Sequence, residues 1–114
     1  MTDLGKMLPF LKEEELKELT KRIMASEDGT WKGICVKRVL PFLDADTVEN
    51  LCRNAMEKGQ NYNIYFPFLS GEAMHGIVTE VTEGKLAIAL DAMYPFLDEE
   101  DIRKVFYFYL EKEE

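Results

Sequence analysis

Histidine and cysteine are scarce in this chain, which has one histidine and two cysteines among its 114 residues. Two cysteines are too few for a disulfide scaffold, and a single imidazole with two distant thiols does not give the ligand spacing of a zinc site. Cys35 and Cys52 lie in apolar stretches with helical periodicity, so we expect reduced, buried thiols. The sequence therefore predicts no metal site and no cofactor.

Long hydrophobic runs and an excess of positive charge are also missing. No apolar stretch approaches the ~20 residues that a membrane-spanning helix needs. The N-terminal region has an acid at position 3 and no long apolar segment before its charges, unlike a signal peptide. A net charge of −8 argues against nucleic-acid binding, because phosphate contacts need a positive face. We expect a cytoplasmic protein with no membrane partner.

Proline occurs only four times, always within the tripeptide Pro-Phe-Leu. The prolines lie at residues 9, 41, 67 and 95, with spacings of 32, 26 and 28 residues. Apolar residues recur 7, 10 and 14 positions after each proline, a spacing that places them on one face of a helix. Another apolar pair lies one and five positions before it, again at helical spacing. The sequence thus contains four related segments.

Each segment predicts a short helix, a Pro-Phe-Leu corner and a longer helix. Proline lacks a backbone N–H and restricts the residue before it, so the short helix ends at the corner. Asp44, Ser70 and Asp98 lie three residues after proline and are good N-caps for the longer helix, whereas Lys12 is a poor one. The longer helices are expected to end near glycines suited to the left-handed conformation, namely Gly29, Gly59 and Gly84.

A segment of 26–32 residues cannot bury its apolar face alone, whereas stacked segments can. We therefore predict an all-α fold in one domain, residues 1–114, made of four tandem helical-hairpin repeats stacked as a small α-solenoid-like array or a compact bundle. The phenylalanine and leucine of each corner should point inward. The predicted repeats cover about 1–30, 31–59, 60–84 and 85–114. The short helices cover about 3–8, 32–40, 62–66 and 85–94, and the longer ones about 13–25, 45–58, 71–82 and 99–112. Residues 61–66 are aromatic and β-branched, so this segment is either helical or extended.

Tyr107 and Phe108 break the pattern of the fourth repeat. The equivalent residues of the first three repeats are charged or polar, which marks these positions as outward-facing. Exposed aromatic residues are typical of an interface, so we predict a protein contact here, most simply with a second copy. The alternative is that both rings fold back over an earlier repeat. Trp31, after the polar linker 26–30, is either a wedge between repeats or an exposed contact residue.

Three further features have a structural and a functional interpretation. Lys37, Arg38 and Arg53 form a weak basic patch in the second repeat, which we interpret as a solvated face rather than a nucleic-acid site. His75 occupies a position that is polar in the other repeats, so we expect it to face solvent without a chemical role. The acidic run 98–101 is interpreted as a charged helix start, because calcium ligands need a loop with a glycine turn.

No glycine-rich phosphate loop, nucleophile elbow or paired His-Glu spacing occurs. The sequence therefore predicts a non-catalytic protein–protein interaction module built of short helical repeats. Its acidic balance suits a basic or neutral protein partner. The alternative is a structural or regulatory homo-oligomer, in the simplest case a homodimer, assembled through the aromatic C-terminal helix. A third hypothesis, nucleic-acid binding through the basic second repeat, is opposed by the net charge.

Overall fold

The computed structural model describes residues 3–112, of which most are helical. Helix accounts for 72% of the structure, and the sheet found in residues 3–112 has two strands. The all-α prediction is confirmed at this level. Residues 1–2 and 113–114, which belong to the outer ends of the first and fourth predicted repeats, lie outside the described residues.

Five α-helices lie within the described residues, together with four 3-10 helices and one hairpin. The α-helices are α1 (Glu13–Ala25), α2 (Val36–Val39), α3 (Ala45–Lys58), α4 (Gly71–Thr82) and α5 (Glu99–Lys112). The 3-10 helices are Leu4–Phe10, Leu40–Phe42, Asn63–Phe68 and Asp91–Phe96. Strands β1 (Thr30–Trp31) and β2 (Ile34–Cys35) pair in an antiparallel hairpin. The four predicted longer helices are confirmed with their predicted bounds.

Every Pro-Phe pair ends a 3-10 helix, and the leucine that follows is extended. The ψ angle of that leucine lies between 147° and 153° at all four corners. Its N–H donates to the carbonyl of the residue before the proline, with N···O distances of 3.2–3.3 Å. The leucines are Leu11, Leu43, Leu69 and Leu97. The local geometry of the corner is therefore the same four times.

Side-chain caps begin three of the four longer helices. Asp44, Ser70 and Asp98 each accept the N–H of the residue three positions on, at 2.8, 3.1 and 2.9 Å. These N-cap predictions are confirmed. Lys12 makes no side-chain cap; its own N–H instead donates to Glu15 Oε1 at 2.8 Å, which satisfies one free donor at this helix start.

The predicted glycine stops are correct for two of three helices. Gly59 and Gly84 follow α3 and α4 with φ of 69° and 78°, and the N–H of the next residue reaches back to close the helix. Gly29 also has a positive φ, but it lies beyond the end of α1 in the turn that leads to β1. It is a turn residue and not a helix cap.

The short segments differ most from the prediction. Lys32 and Gly33 both have positive φ, 51° and 81°, and form the tight turn between β1 and β2. The predicted helix 32–40 is therefore a hairpin end followed by α2 and a 3-10 helix. Residues 62–66, left open between helix and strand, are largely 3-10 helical. Residues 85–90 carry no regular structure, so the predicted helix 85–94 is wrong in its first half.

The chain divides into two compact units, residues 1–50 and 51–114, with the division inside α3. In the first unit α1 contacts β1 and α2 around a core made of Leu8, Leu16, Leu19, Ile23, Ile34 and Val39. In the second unit α4 packs against α5. The 3-10 helix Asn63–Phe68 packs against Asp91–Phe96 in the same unit.

The corner phenylalanines do not point inward as predicted. Their exposed fractions are 38–85%, measured at Phe10, Phe42, Phe68 and Phe96. The residue before the proline is buried instead in the first three segments, at no more than 3%. Since a 3-10 helix turns about 120° per residue, the phenylalanine two positions later faces away from that buried side. The proline and the phenylalanine thus form the outer surface of the corner.

This reversal predicts unequal costs for two neighbouring truncations. Leu40 is 1% exposed, so Leu40→Ala should lower the free energy of unfolding by about 2–5 kcal/mol. Phe42 is 39% exposed, so Phe42→Ala should cost only about 1–2 kcal/mol. Urea denaturation of both variants measures the difference. A larger loss for Phe42→Ala would contradict this assignment of inner and outer residues.

A second prediction concerns acid stability. Hydrogen bonds from the Glu13 side chain and from the side chain and N–H of Thr47 lower the pKa of Asp44 from 3.8 to about 2. A carboxyl group whose pKa is lowered by folding adds stability above its unfolded pKa, and this stability is lost as the pH falls toward the folded pKa. Asp44→Asn keeps a cap oxygen, so its free energy of unfolding should fall less than that of the wild type between pH 4 and pH 2. Asp46→Asn in the same helix turn controls for removing one acid. An unchanged pH profile in Asp44→Asn would contradict the prediction.

Candidate protein-contact site

An open apolar groove lies on the second unit, between the end of a 3-10 helix and α5. Its volume is about 400 Å³. Its lining residues are Tyr94, Ile102, Val105, Phe106, Tyr109 and Leu110. Phe106 is 58% exposed and Leu110 is 49% exposed. Partial burial, with Tyr109 and Asp91 nearby, raises the pKa of the Tyr94 hydroxyl, so the phenol presented at the groove is neutral at pH 7.

Four of the six residues that line the groove occupy positions that are buried in the other segments. We count positions from each proline, and consider −1, +7, +11 and +14. In the first three segments these twelve residues are all at most 8% exposed. They are Leu8, Leu16, Thr20 and Ile23; Leu40, Val48, Cys52 and Ala55; and Phe66, Met74, Val78 and Val81. In the fourth segment the same positions are 37–58% exposed, at Tyr94, Ile102, Phe106 and Tyr109. We call these four residues the back face of the fourth segment.

A second apolar groove lies on the first unit. Its volume is about 220 Å³, and it is lined by Leu4, Met7, Leu11, Glu15, Glu18, Leu19, Arg22, Trp31 and Ile34. Met7, at position −2, is 49% exposed. The residues at position −2 of the other segments, Val39, Tyr65 and Met93, are at most 2% exposed. An otherwise buried position is again open to solvent.

Tyr107 and Phe108, the predicted contact residues, lie beside the groove on α5 and not in it. Tyr107 is 57% exposed, whereas Phe108 is partly buried. Both border a more polar cavity with Thr79 and Arg103. Lys112 Nζ lies 4.7 Å from the centroid of the Phe108 ring, within range of a cation–π contact. The predicted contact residues thus lie on the helix that also lines the groove, and the sequence analysis did not identify the groove residues themselves.

Trp31 lies in β1, partly buried against the core of the first unit. It also lines the groove of that unit. Its role as a contact residue stays a prediction, and the groove is where that contact would form. Cys35 lies in β2 and is partly exposed, which contradicts the expected helical and buried position. Cys52 is fully buried as predicted.

The predicted basic patch is largely paired with carboxylates. Arg38 Nη2 lies 3.4 Å from Asp3 Oδ1 in the first unit, and Arg53 Nη2 lies 2.7 Å from Glu80 Oε2 in the second. Lys37 on α2 is exposed. Ion pairing reduces the positive potential that phosphate binding needs.

His75 has a partner that the sequence analysis did not identify. Its Nδ1 lies 2.8 Å from Oδ1 of Asp101, and this contact joins α4 to α5. The imidazole is exposed as predicted, with 54% of the side chain accessible, but the Asp101 side chain is only 5% accessible. Because a buried carboxylate needs a hydrogen-bond partner, the pair acts as a structural link between the two helices.

This link predicts a measurable coupling. His75→Ala leaves the buried Asp101 carboxylate without its imidazole partner, so the free energy of unfolding should fall by about 1–3 kcal/mol. Denaturation of His75→Ala, Asp101→Asn and the double variant gives the coupling energy. Additive losses would contradict a direct interaction between the two side chains.

Within residues 3–112, no three His, Cys, Asp or Glu side chains come close enough together to hold a metal ion. None of the helices in that part of the chain is both long and apolar enough to cross a membrane. No protein-family model, curated protein or solved structure matches the chain. Its function is therefore inferred from its own residues.

Proposed function

We propose that this chain is a non-catalytic protein–protein interaction module of the cytoplasm, built of four tandem helical repeats. The repeat interpretation is supported by the four corners of equal geometry, each with a 3-10 helix before it and an α-helix after it. The function is supported by one observation above all. The back-face positions are buried in three segments, whereas in the fourth they carry three aromatic residues and an isoleucine and are exposed.

The exposed back face has the composition of a contact surface. Interfaces are enriched in tyrosine and phenylalanine, and a contiguous exposed apolar patch on a small protein marks an interaction site. Leaving such side chains in water forgoes about 1.5–3 kcal/mol for each, relative to burial. A partner that covers Ile102, Phe106 and Tyr109 recovers this free energy.

The alternative function is a structural or regulatory homo-oligomer assembled through the aromatic α5. It uses the same groove, and the two proposals differ in what fills it: another protein or a second copy. Nucleic-acid binding has less support, because Arg38 and Arg53 already face carboxylates.

A photo-cross-linking amino acid at position 106 tests the proposal in the cells that make the chain. We expect it to join a defined protein, identified by mass spectrometry as another protein or a second copy. The same group at Lys21, an exposed residue outside both grooves, is the matched control. Equal products from the two positions would overturn the proposal. Products from position 107 but not from position 106 would place the contact at Tyr107 and Phe108 instead.

A further inference from the structure

We infer that the groove on α5 is filled by the first repeat of a second copy of this chain, in a head-to-tail contact. The inference rests on the proposed function, because it names the occupant of the same groove. For such a contact, the chain must expose two surfaces of the kind that pack against each other inside it. The structure contains such an internal contact in the second unit, between the third and fourth repeats.

The internal contact shows which positions face each other. The third repeat contributes its back face, Phe66, Met74, Val78 and Val81, all at most 8% exposed. The fourth repeat contributes the positions −5, −2, +6 and +10, which we call its front face. These are Leu90, Met93, Asp101 and Val105, and they are at most 4% exposed. Since α4 packs on α5 and the 3-10 helices Asn63–Phe68 and Asp91–Phe96 pack on each other, we infer that these two buried faces meet, with the front of one repeat on the back of the repeat before it.

The first repeat has the same front-face positions, where Met7 and Glu15 are exposed, Leu4 is partly buried and Leu19 is 7% exposed. All four residues line the groove of the first unit. Met7 is 49% exposed, whereas Met93 at the same position of the fourth repeat is completely buried. Each copy therefore carries one uncovered front and one uncovered back, the two surfaces that meet in the internal contact.

The charges of the two open faces are also complementary. In the internal contact, His75 at +8 of the back meets Asp101 at +6 of the front, at 2.8 Å. The residues at these positions in the open surfaces are Arg103, which lies beside the back face of the fourth repeat, and Glu15, which lines the groove of the first unit. A head-to-tail contact therefore places a guanidinium opposite a carboxylate, where the internal contact has an imidazole and a carboxylate. Back-to-back pairing of two α5 helices would leave Met7 and Glu15 outside the interface.

Two blocked variants separate this arrangement from a symmetric dimer. Phe106→Glu places a charge on the back face, and Met7→Glu places one on the front face. Because both residues are exposed, we expect both variants to keep the fold, and circular dichroism measures whether they do. Light scattering should give a wild-type mass above that of one chain, rising with concentration, since a heterologous contact adds copies in sequence. Each variant alone should be monomeric. An equimolar mixture should form a complex of two chains, because one intact front and one intact back remain.

Charge exchange tests the register of the contact. Glu15→Lys and Arg103→Glu should each weaken self-association by about tenfold, a change of 1.4 kcal/mol. The double variant Glu15→Lys/Arg103→Glu should restore the wild-type affinity, because every contact then joins the reversed charge at position 15 of one copy to the reversed charge at position 103 of the next. Glu15→Gln, which removes the charge without reversing it, is the milder control.

The outcomes distinguish the two proposals. A dimer that survives Met7→Glu and is abolished by Phe106→Glu, with no complex on mixing, would overturn the head-to-tail contact in favour of back-to-back pairing. A wild type that stays monomeric at several hundred micromolar would overturn any self-contact. In that case a cross-link from position 106 to another protein would still support the interaction module, and its absence would end both proposals.

Discussion

One backbone hydrogen bond recurs at every corner and determines how the helices follow each other. The leucine after each Pro-Phe donates its N–H to the carbonyl before the proline, which closes the 3-10 helix and leaves the leucine extended. Because proline fixes its own φ and lacks an N–H, the chain has few other ways to continue at this point. The next helix then begins at a cap three residues after the proline. In the first three segments the residue before the proline faces the core, and in all four the phenylalanine faces solvent.

This constraint explains what the sequence predicts well. The longer helices have apolar residues at helical spacing, a cap at a fixed distance from the proline and, in two cases, a glycine stop, so both ends are encoded locally. Their bounds follow from those signals alone. Asp44, Ser70 and Asp98 act as caps whatever the helix packs against, because the bond joins atoms three residues apart.

The features that were mispredicted depend on contacts between distant residues or on weak local signals. Lys32 adopts a positive φ although it is not glycine, so only the following Gly33 hinted at a hairpin. The Asp101 carboxylate is buried by α4 and paired with His75, 26 residues earlier in the chain, a relation that no local pattern contains. The sequence analysis missed the groove for a similar reason. Ile102 and Phe106 have the spacing of core residues, and only the absence of described residues packed over them distinguishes them from the core.

Burial in this fold therefore depends on a residue's neighbours more than on its type. Position +11 holds threonine, cysteine or valine where it is buried, and phenylalanine where none of the described residues covers it. The phenylalanine at this exposed position adds apolar area to the surface of α5. The positions that complete the core in three segments are thus the ones that we propose as a contact surface in the fourth.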